Sequence, residues 1–138
     1  MKEIFVEIIT PSKSVYKGLI KSITIPGTLG NFQVLFNHAP MLSTFEIGKI
    51  KLNDVNDKEI EYATSGGTVE VNDNKILILA DSAETSDEID IERAEKSYER
   101  AKERLASRNK GDIDIMRAEF ALQRAINRMK FVNTSFSS

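Results

Sequence analysis

Hydrophobic and polar positions follow two rhythms along this chain, one after the other. In the first part the period is two. Ile4, Val6 and Ile8 alternate with outward positions, as do Leu19, Ile23 and Ile25, then Ile60 and Tyr62, then Val69 and Val71. An unbroken apolar run, Ile76-Leu77-Ile78-Leu79, suits a buried strand. Turn chemistry separates these runs at Asp54-Val55-Asn56-Asp57, Ser65-Gly66-Gly67 and Asn72-Asp73-Asn74. Many short strands with frequent turns predict an antiparallel β-sandwich or flattened barrel.

In the last third the spacing changes to alternating threes and fours. Ile91, Ala94, Tyr98, Ala101 and Leu105 form one such series, and Ile115, Ala118, Leu122, Ala125 and Met129 form a second. Between them Asn109-Lys110-Gly111-Asp112 offers a glycine C-cap and then an acidic N-cap. A connection this short predicts two antiparallel neighbours, an α-helical hairpin. The fold class is therefore α+β in two parts, with residues 1–86 a β-sandwich and residues 87–138 a hairpin with a loose tail.

Composition sharpens the boundary. All seven arginines lie between Arg93 and Arg128, while six of seven glycines and all three prolines lie at or before Gly67. Glycine and proline punctuate sheets; Glu, Lys, Arg and Ala fill helices. The formal net charge of -2 predicts no nucleic-acid or membrane partner from global charge. The absence of cysteine excludes a disulfide scaffold, thiolate chemistry and cysteine-ligated zinc. The first residues run straight into the strand pattern, with no apolar signal segment or Arg-rich transit segment, and no apolar run approaches the ~20 residues that span a bilayer.

The two helices open alike. Ile89-Asp90-Ile91-Glu92-Arg93-Ala94-Glu95 is matched by Ile113-Asp114-Ile115-Met116-Arg117-Ala118-Glu119. One reading makes Asp90 and Asp114 helix caps, each satisfying an orphan backbone N–H. The arginines support a second. Arg93, Arg100 and Arg104 each precede a seam residue, and so do Arg117, Arg124 and Arg128. Two such rows are either a solvated face or a surface for an anionic ligand or acidic partner, since guanidinium forks bind phosphate bidentately. Alanine at positions 94, 101, 118 and 125 allows close approach but buries little apolar area, which suits a two-state element.

Enzymatic chemistry finds little support. His38 is the only histidine, in a loop before Ala39-Pro40, with no nucleophile-elbow pattern beside it. Gly27-Thr28-Leu29-Gly30 is followed by no Gly-Lys-Ser/Thr and is not a phosphate loop. Asp54-Val55-Asn56-Asp57 lacks the central glycine and terminal glutamate of a calcium loop and reads as a hairpin turn. A nucleic-acid-binding adaptor is the remaining competitor. It is disfavoured because acids nearly balance bases in the hairpin and no aromatic interleaves the arginines.

Several fragments occur in a telling order: Gly30-Asn31-Phe32-Gln33-Val34-Leu35, Asn37-His38-Ala39-Pro40, Gly48, Ser65-Gly66-Gly67 with Val69-Glu70-Val71, Ile78-Leu79-Ala80-Asp81-Ser82-Ala83-Glu84, and the Ile89-Asp90 helix start. As an ordered set they resemble the epsilon subunit of rotary, F-type ATP synthases over nearly the whole chain. The resemblance implies a non-catalytic subunit of the central stalk, peripheral on the cytoplasmic face of a bacterial plasma membrane. It implies as partners the gamma subunit, the c-ring and the catalytic beta subunits, with no nucleic acid and no membrane insertion. The sandwich would couple ring rotation to the catalytic head, and an extended hairpin would restrain ATP hydrolysis.

The resemblance also implies a regulatory ligand, ATP, held by the folded hairpin, with no required cofactor and no metal. The family's motif of Ile or Leu, Asp, two residues, Arg and Ala is matched by Ile89, Asp90, Arg93 and Ala94, and its further contacts fall on Glu84, Arg100, Arg124 and Arg128. The alternative is a stalk subunit that binds no nucleotide. One departure stands out: where the family often has a Gly-Glu-x-Gly turn, this chain has Asn31 and Gln33 around Phe32, so a carboxylate expected near the c-ring is absent.

Overall fold

A computed structural model describes the backbone of residues 2–107 and 112–137, and their side chains except those of residues 107, 112–114 and 134–137. The chain divides into two compact units, Met1–Thr85 and Ser86–Ser138.

The first unit is built from seven strands: β1 (Ile4–Ile9), β2 (Ser14–Gly27), β3 (Gly30–Val34), β4 (Met41–Asp54), β5 (Glu59–Asn72), β6 (Lys75–Ala80) and the short β7 (Ala83–Glu84). They form one sheet in the order β1-β6-β5-β4-β2-β3, with β7 on β5, and β1 also pairs with β2. That last pairing closes a flattened barrel and removes most exposed sheet edge. One pair, β1 with β6, runs parallel (Val6 opposite Ile76, Ile8 opposite Ile78) within an otherwise antiparallel set. Ile4, Val6, Ile8, Ile20, Ile23, Ile25, Val34, Ile50, Leu52, Val69, Ile76 and Ile78 fill the interior and are fully buried or nearly so.

Three strands of 14 residues do most of the work, and each changes which parity faces inward. In β2 the buried positions run Ile20 and Ser22, then Ile23 and Ile25, with a bulge in the β4 pairing between Ile20 and Ser22. In β4, Phe45 and then Ile50 and Leu52 are buried, and the parity changes around Gly48. In β5 it changes at Gly66 and Gly67. Strands of this length bend between the two layers of a flattened barrel, and the side-chain period must slip where they do. This corrects two expectations. Leu19, placed inward by a single unbroken alternation, is half exposed, and Ile20 takes the core position. Ser65-Gly66-Gly67 is no turn; it lies inside β5, where Gly66 has φ 106° and a Cβ on Gly67 would overlap the Leu79 carbonyl.

The run Ile76-Leu77-Ile78-Leu79 also differs from expectation. Ile76 and Ile78 face the core, whereas Leu77 and Leu79 are partly exposed, so β6 is buried on one face only. The other turns behave as their residues dictate. Asp73 and Asn74 both adopt positive φ, 52° and 59°, as a two-residue β5–β6 connection requires. Asp54 Oδ1 accepts the N–H groups of Asn56 (2.8 Å) and Lys58 (2.9 Å), which makes that segment a hairpin turn.

The second unit has a 3₁₀ turn (Ser86–Glu88), α1 (Ile91–Ser107) and α2 (Asp112–Ser137), and the two helices pack together. Ala94, Ala101, Ala118 and Ala125 are each at most 3% exposed and form the seam, with Tyr98, Leu105, Ile115, Leu122 and Met129 partly buried beside them. Phe131 and Val132, beyond the series that ends at Met129, are buried too, and the 3₁₀ turn contacts α2. The expected caps at Asn109-Lys110-Gly111 lie outside the described residues. Asp114 falls inside the first turn of α2 and not at its cap, because that helix begins at Asp112; its side chain lies outside the described residues.

Candidate functional site

The candidate residues start at the entry to α1. Asp90 is its N-cap: Oδ1 accepts the Arg93 N–H at 3.1 Å and the Asp90 carbonyl accepts the Ala94 N–H at 3.0 Å. An orphan donor of the first turn is thereby satisfied, and a carboxylate sits where the helix dipole favours it. Ile89 before it is buried and Ala94 after it lies in the seam, so neither presents an open surface. Of the Ile89-Asp90-Arg93-Ala94 set, Asp90 and Arg93 are the exposed pair.

Arg93, Arg100, Arg104, Arg117 and Arg124 are exposed and Arg128 is half-buried. Arg93 and Arg100 stand seven residues apart, as do Arg117 and Arg124, so each pair lines one stripe of its helix about 10.5 Å long. Each member directly precedes a buried alanine. A two-fold axis perpendicular to the plane of two antiparallel helices relates them without exchanging the broad faces of the pair. Positions just before the seam on α1 and on α2 therefore share one broad face. Helix packing thus places Arg93, Arg100, Arg124 and Arg128 on a common side of the hairpin. The Arg100 guanidinium is partly committed there, donating to Ser97 Oγ at 3.1 Å.

Glu84 lies on β7 in the barrel unit, opposite Ala63 of β5. A groove of about 690 Å³ along α1, lined by Glu92, Glu95, Lys96, Tyr98, Glu99, Arg100 and Met129, takes in only Arg100 of the candidate set. Its three carboxylates oppose a polyphosphate, and its cations are engaged: Lys96 with Glu92 at 3.6 Å and Arg100 with Ser97. Nearby, Lys102 sits 5.3 Å from the Tyr98 ring centre. His38 Nδ1 donates to the Ala39 carbonyl at 2.7 Å.

Comparison with known proteins bears on both units. Residues 3–86 match the beta-sandwich domain of the ATP synthase delta/epsilon chain, and residues 87–133 match its long alpha-helix domain. The ATP synthase epsilon chain of Salinibacter ruber is 41% identical, over 75% of this chain and 74% of its own. That of Desulfitobacterium hafniense (strain Y51) is 45% identical over 73% of this chain and 76% of its own. Among solved structures, a chain of the Euglena gracilis mitochondrial ATP synthase shares the fold with a TM-score of 0.78 at 23% identity, covering 92% of this chain and 79% of that one. Two family domains matched in order, and relatives above 40% identity across most of both chains, place this chain in the ATP synthase delta/epsilon family, as an epsilon chain of the central stalk.

Proposed function

We propose that this epsilon chain is a regulator as well as a stalk component: its barrel docks on the gamma subunit and the c-ring, and its hairpin restrains ATP hydrolysis when extended toward the catalytic beta subunits. In the folded state the hairpin binds ATP through the phosphates. The observation that carries this reading is that exposed arginines directly precede the buried alanines of the seam on both helices. Arg93, Arg100, Arg124 and Arg128 supply guanidinium forks for a polyphosphate, and Ile89-Asp90 flanks the base. Glu84 belongs to the set by resemblance, and its part is tested by Glu84→Gln. The chain carries out no chemical step itself and works peripherally at the cytoplasmic face of the membrane.

Energetics favour such control. A seam of four alanines buries little apolar surface, so the folded hairpin is held by a small margin. A ligand that binds only the folded form stabilises it by RT ln(1 + [L]/Kd), about 2.7 kcal/mol at a hundred times Kd. That is enough to bias a marginal equilibrium. The test is calorimetric titration of the intact protein with ATP, ADP and GTP, repeated on Arg93→Ala. Selective ATP binding abolished by the substitution supports the nucleotide reading. No binding at millimolar ATP removes it and leaves the arginine face as a contact for acidic segments of the catalytic subunits.

A further inference from the structure

One edge of the barrel is left open. Among the described strands β3 ends the strand order and pairs only with β2, whereas β1 at the other end is closed by its second pairing. Pro26 fixes which groups of β3 face the open side. It stands opposite Asn31 and has no N–H, so the two form a non-hydrogen-bonded pair, and the ladder bonds to β2 fall at Gly30, Phe32 and Val34. The backbone N–H and C=O groups of Asn31 and Gln33 therefore point away from the barrel. Both residues are exposed, while Val34 is fully buried. Proteins usually guard such an edge with charge or proline. Here β3 has no proline, and residues 22–45 contain no Asp, Glu, Lys or Arg in a chain that is 29% charged. The alternate positions read Leu29, Asn31, Gln33 and Leu35, apolar at the ends and amide in the middle. Leu29 is fully exposed and Leu35 about half so.

We infer that the open edge of β3 pairs antiparallel with the same edge of a second copy of this chain, about a two-fold axis at Phe32. That axis sets Asn31 opposite Gln33 of the second copy, and Gln33 opposite its Asn31, and each pair exchanges two backbone bonds. It also sets Leu29 opposite the second copy's Leu35. The stripe is complementary to itself: amide faces amide, leucine faces leucine, and no charge is taken from water. An axis at Asn31 or at Gln33 would instead set a leucine against an amide. The His38 N–H donates to the Leu35 carbonyl at 3.1 Å, so the new ladder is confined to Asn31 and Gln33, and the leucines meet by side chains alone. An edge this short buries less than the ~1,200 Å² of a stable complex, so the dimer is weak and forms as concentration rises. The pairing belongs to the free chain and stands apart from the docking and nucleotide readings.

The experiment is sedimentation equilibrium of the intact chain from micromolar to millimolar, with amide NMR spectra along the dilution. A monomer–dimer equilibrium is expected, with the Asn31 and Gln33 amides shifting on dilution and those of Ile78 and Ala101 unmoved. Gln33→Pro removes an outward N–H and no ladder bond. Asn31→Lys combined with Gln33→Lys sets like charges opposite one another. Each change is expected to raise the dimer Kd about tenfold, with an unchanged Ile78 amide as the check on folding. The chain has no cysteine, so the register can be read by oxidation. Positions 31 and 33 face each other in the pair with Cα atoms about 5.5 Å apart, within disulfide reach. A mixture of Asn31→Cys and Gln33→Cys chains is expected to cross-link about tenfold faster than either variant alone. Equal rates would overturn the register. A chain monomeric at every concentration would overturn self-pairing; if Gln33→Pro then weakened assembly with the gamma subunit and the c-ring, the edge would belong to an assembly partner instead.

Discussion

Asp90 is asked for two things by the same position. Its carboxylate already accepts the Arg93 N–H, and that bond alone accounts for an aspartate before α1. The two roles separate on substitution. Asp90→Ala is expected to destabilise the hairpin by about 1 kcal/mol, read from amide exchange in α1. Asp90→Asn keeps a good cap while removing the charge, so it should leave exchange unchanged. ATP affinity lost in the Asn variant with exchange intact would assign the carboxylate to the ligand as well. Tyr16 gives a residue-scale prediction for the barrel. Burial, and secondarily the nearby Asp54 charge, raises its phenol above the ordinary 10.0. The fold thus favours the neutral phenol, and the unfolded chain releases its proton first. Stability is complete below pH 10.0 and declines as pH rises through the folded value. Urea melts across pH 9 to 12 should show a decline for the native chain that is shallower in Tyr16→Phe; superimposable declines would remove Tyr16 as its source.

At the scale of elements, the hairpin seam repeats alanine every seven residues, Ala94 to Ala101 and Ala118 to Ala125. Small residues let the helix axes approach closely, and an exposed arginine directly precedes each of them. Ala125→Leu forces the helices apart and is expected to cost the hairpin roughly 1–3 kcal/mol by overpacking. The barrel amides should not respond. Faster exchange at Ala101 with no change at Ile50 or Ile78 is the expected pattern, and equal change in both would show that the helices and the barrel open as one. The seam was legible in the sequence because helical spacing survives any tertiary context. Val132 continues that spacing three residues past Met129, but the burial of Phe131 beside it was not legible, because it lies off that face.

For the whole molecule, the two compact units differ sharply in what they bury. The barrel encloses large branched side chains such as Ile20, Ile50 and Leu52, whereas the hairpin's most buried seam positions are alanines. Unequal cores predict unequal stability. Helical ellipticity at 222 nm should fall at lower urea than the methyl NMR signals of Ile50 and Ile78. A single coincident transition would contradict this. What the sequence alone determined is whatever depends on neighbours along the chain: helix periodicity, the Asp90 cap, the Asp54 and Asp73-Asn74 turns, the arginine rows, and the ordered fragments by which the family was recognised. Tertiary structure decided the rest. The slips of parity in β2, β4 and β5, the exposure of Leu19, the one-sided burial of β6 and the inclusion of Gly66-Gly67 within a strand all depend on where a long strand crosses between layers. Only partners distant in the chain set that crossing. The shared face of the arginines is of the same kind. Each row is written in its own helix, but their common side exists only once the helices pack antiparallel.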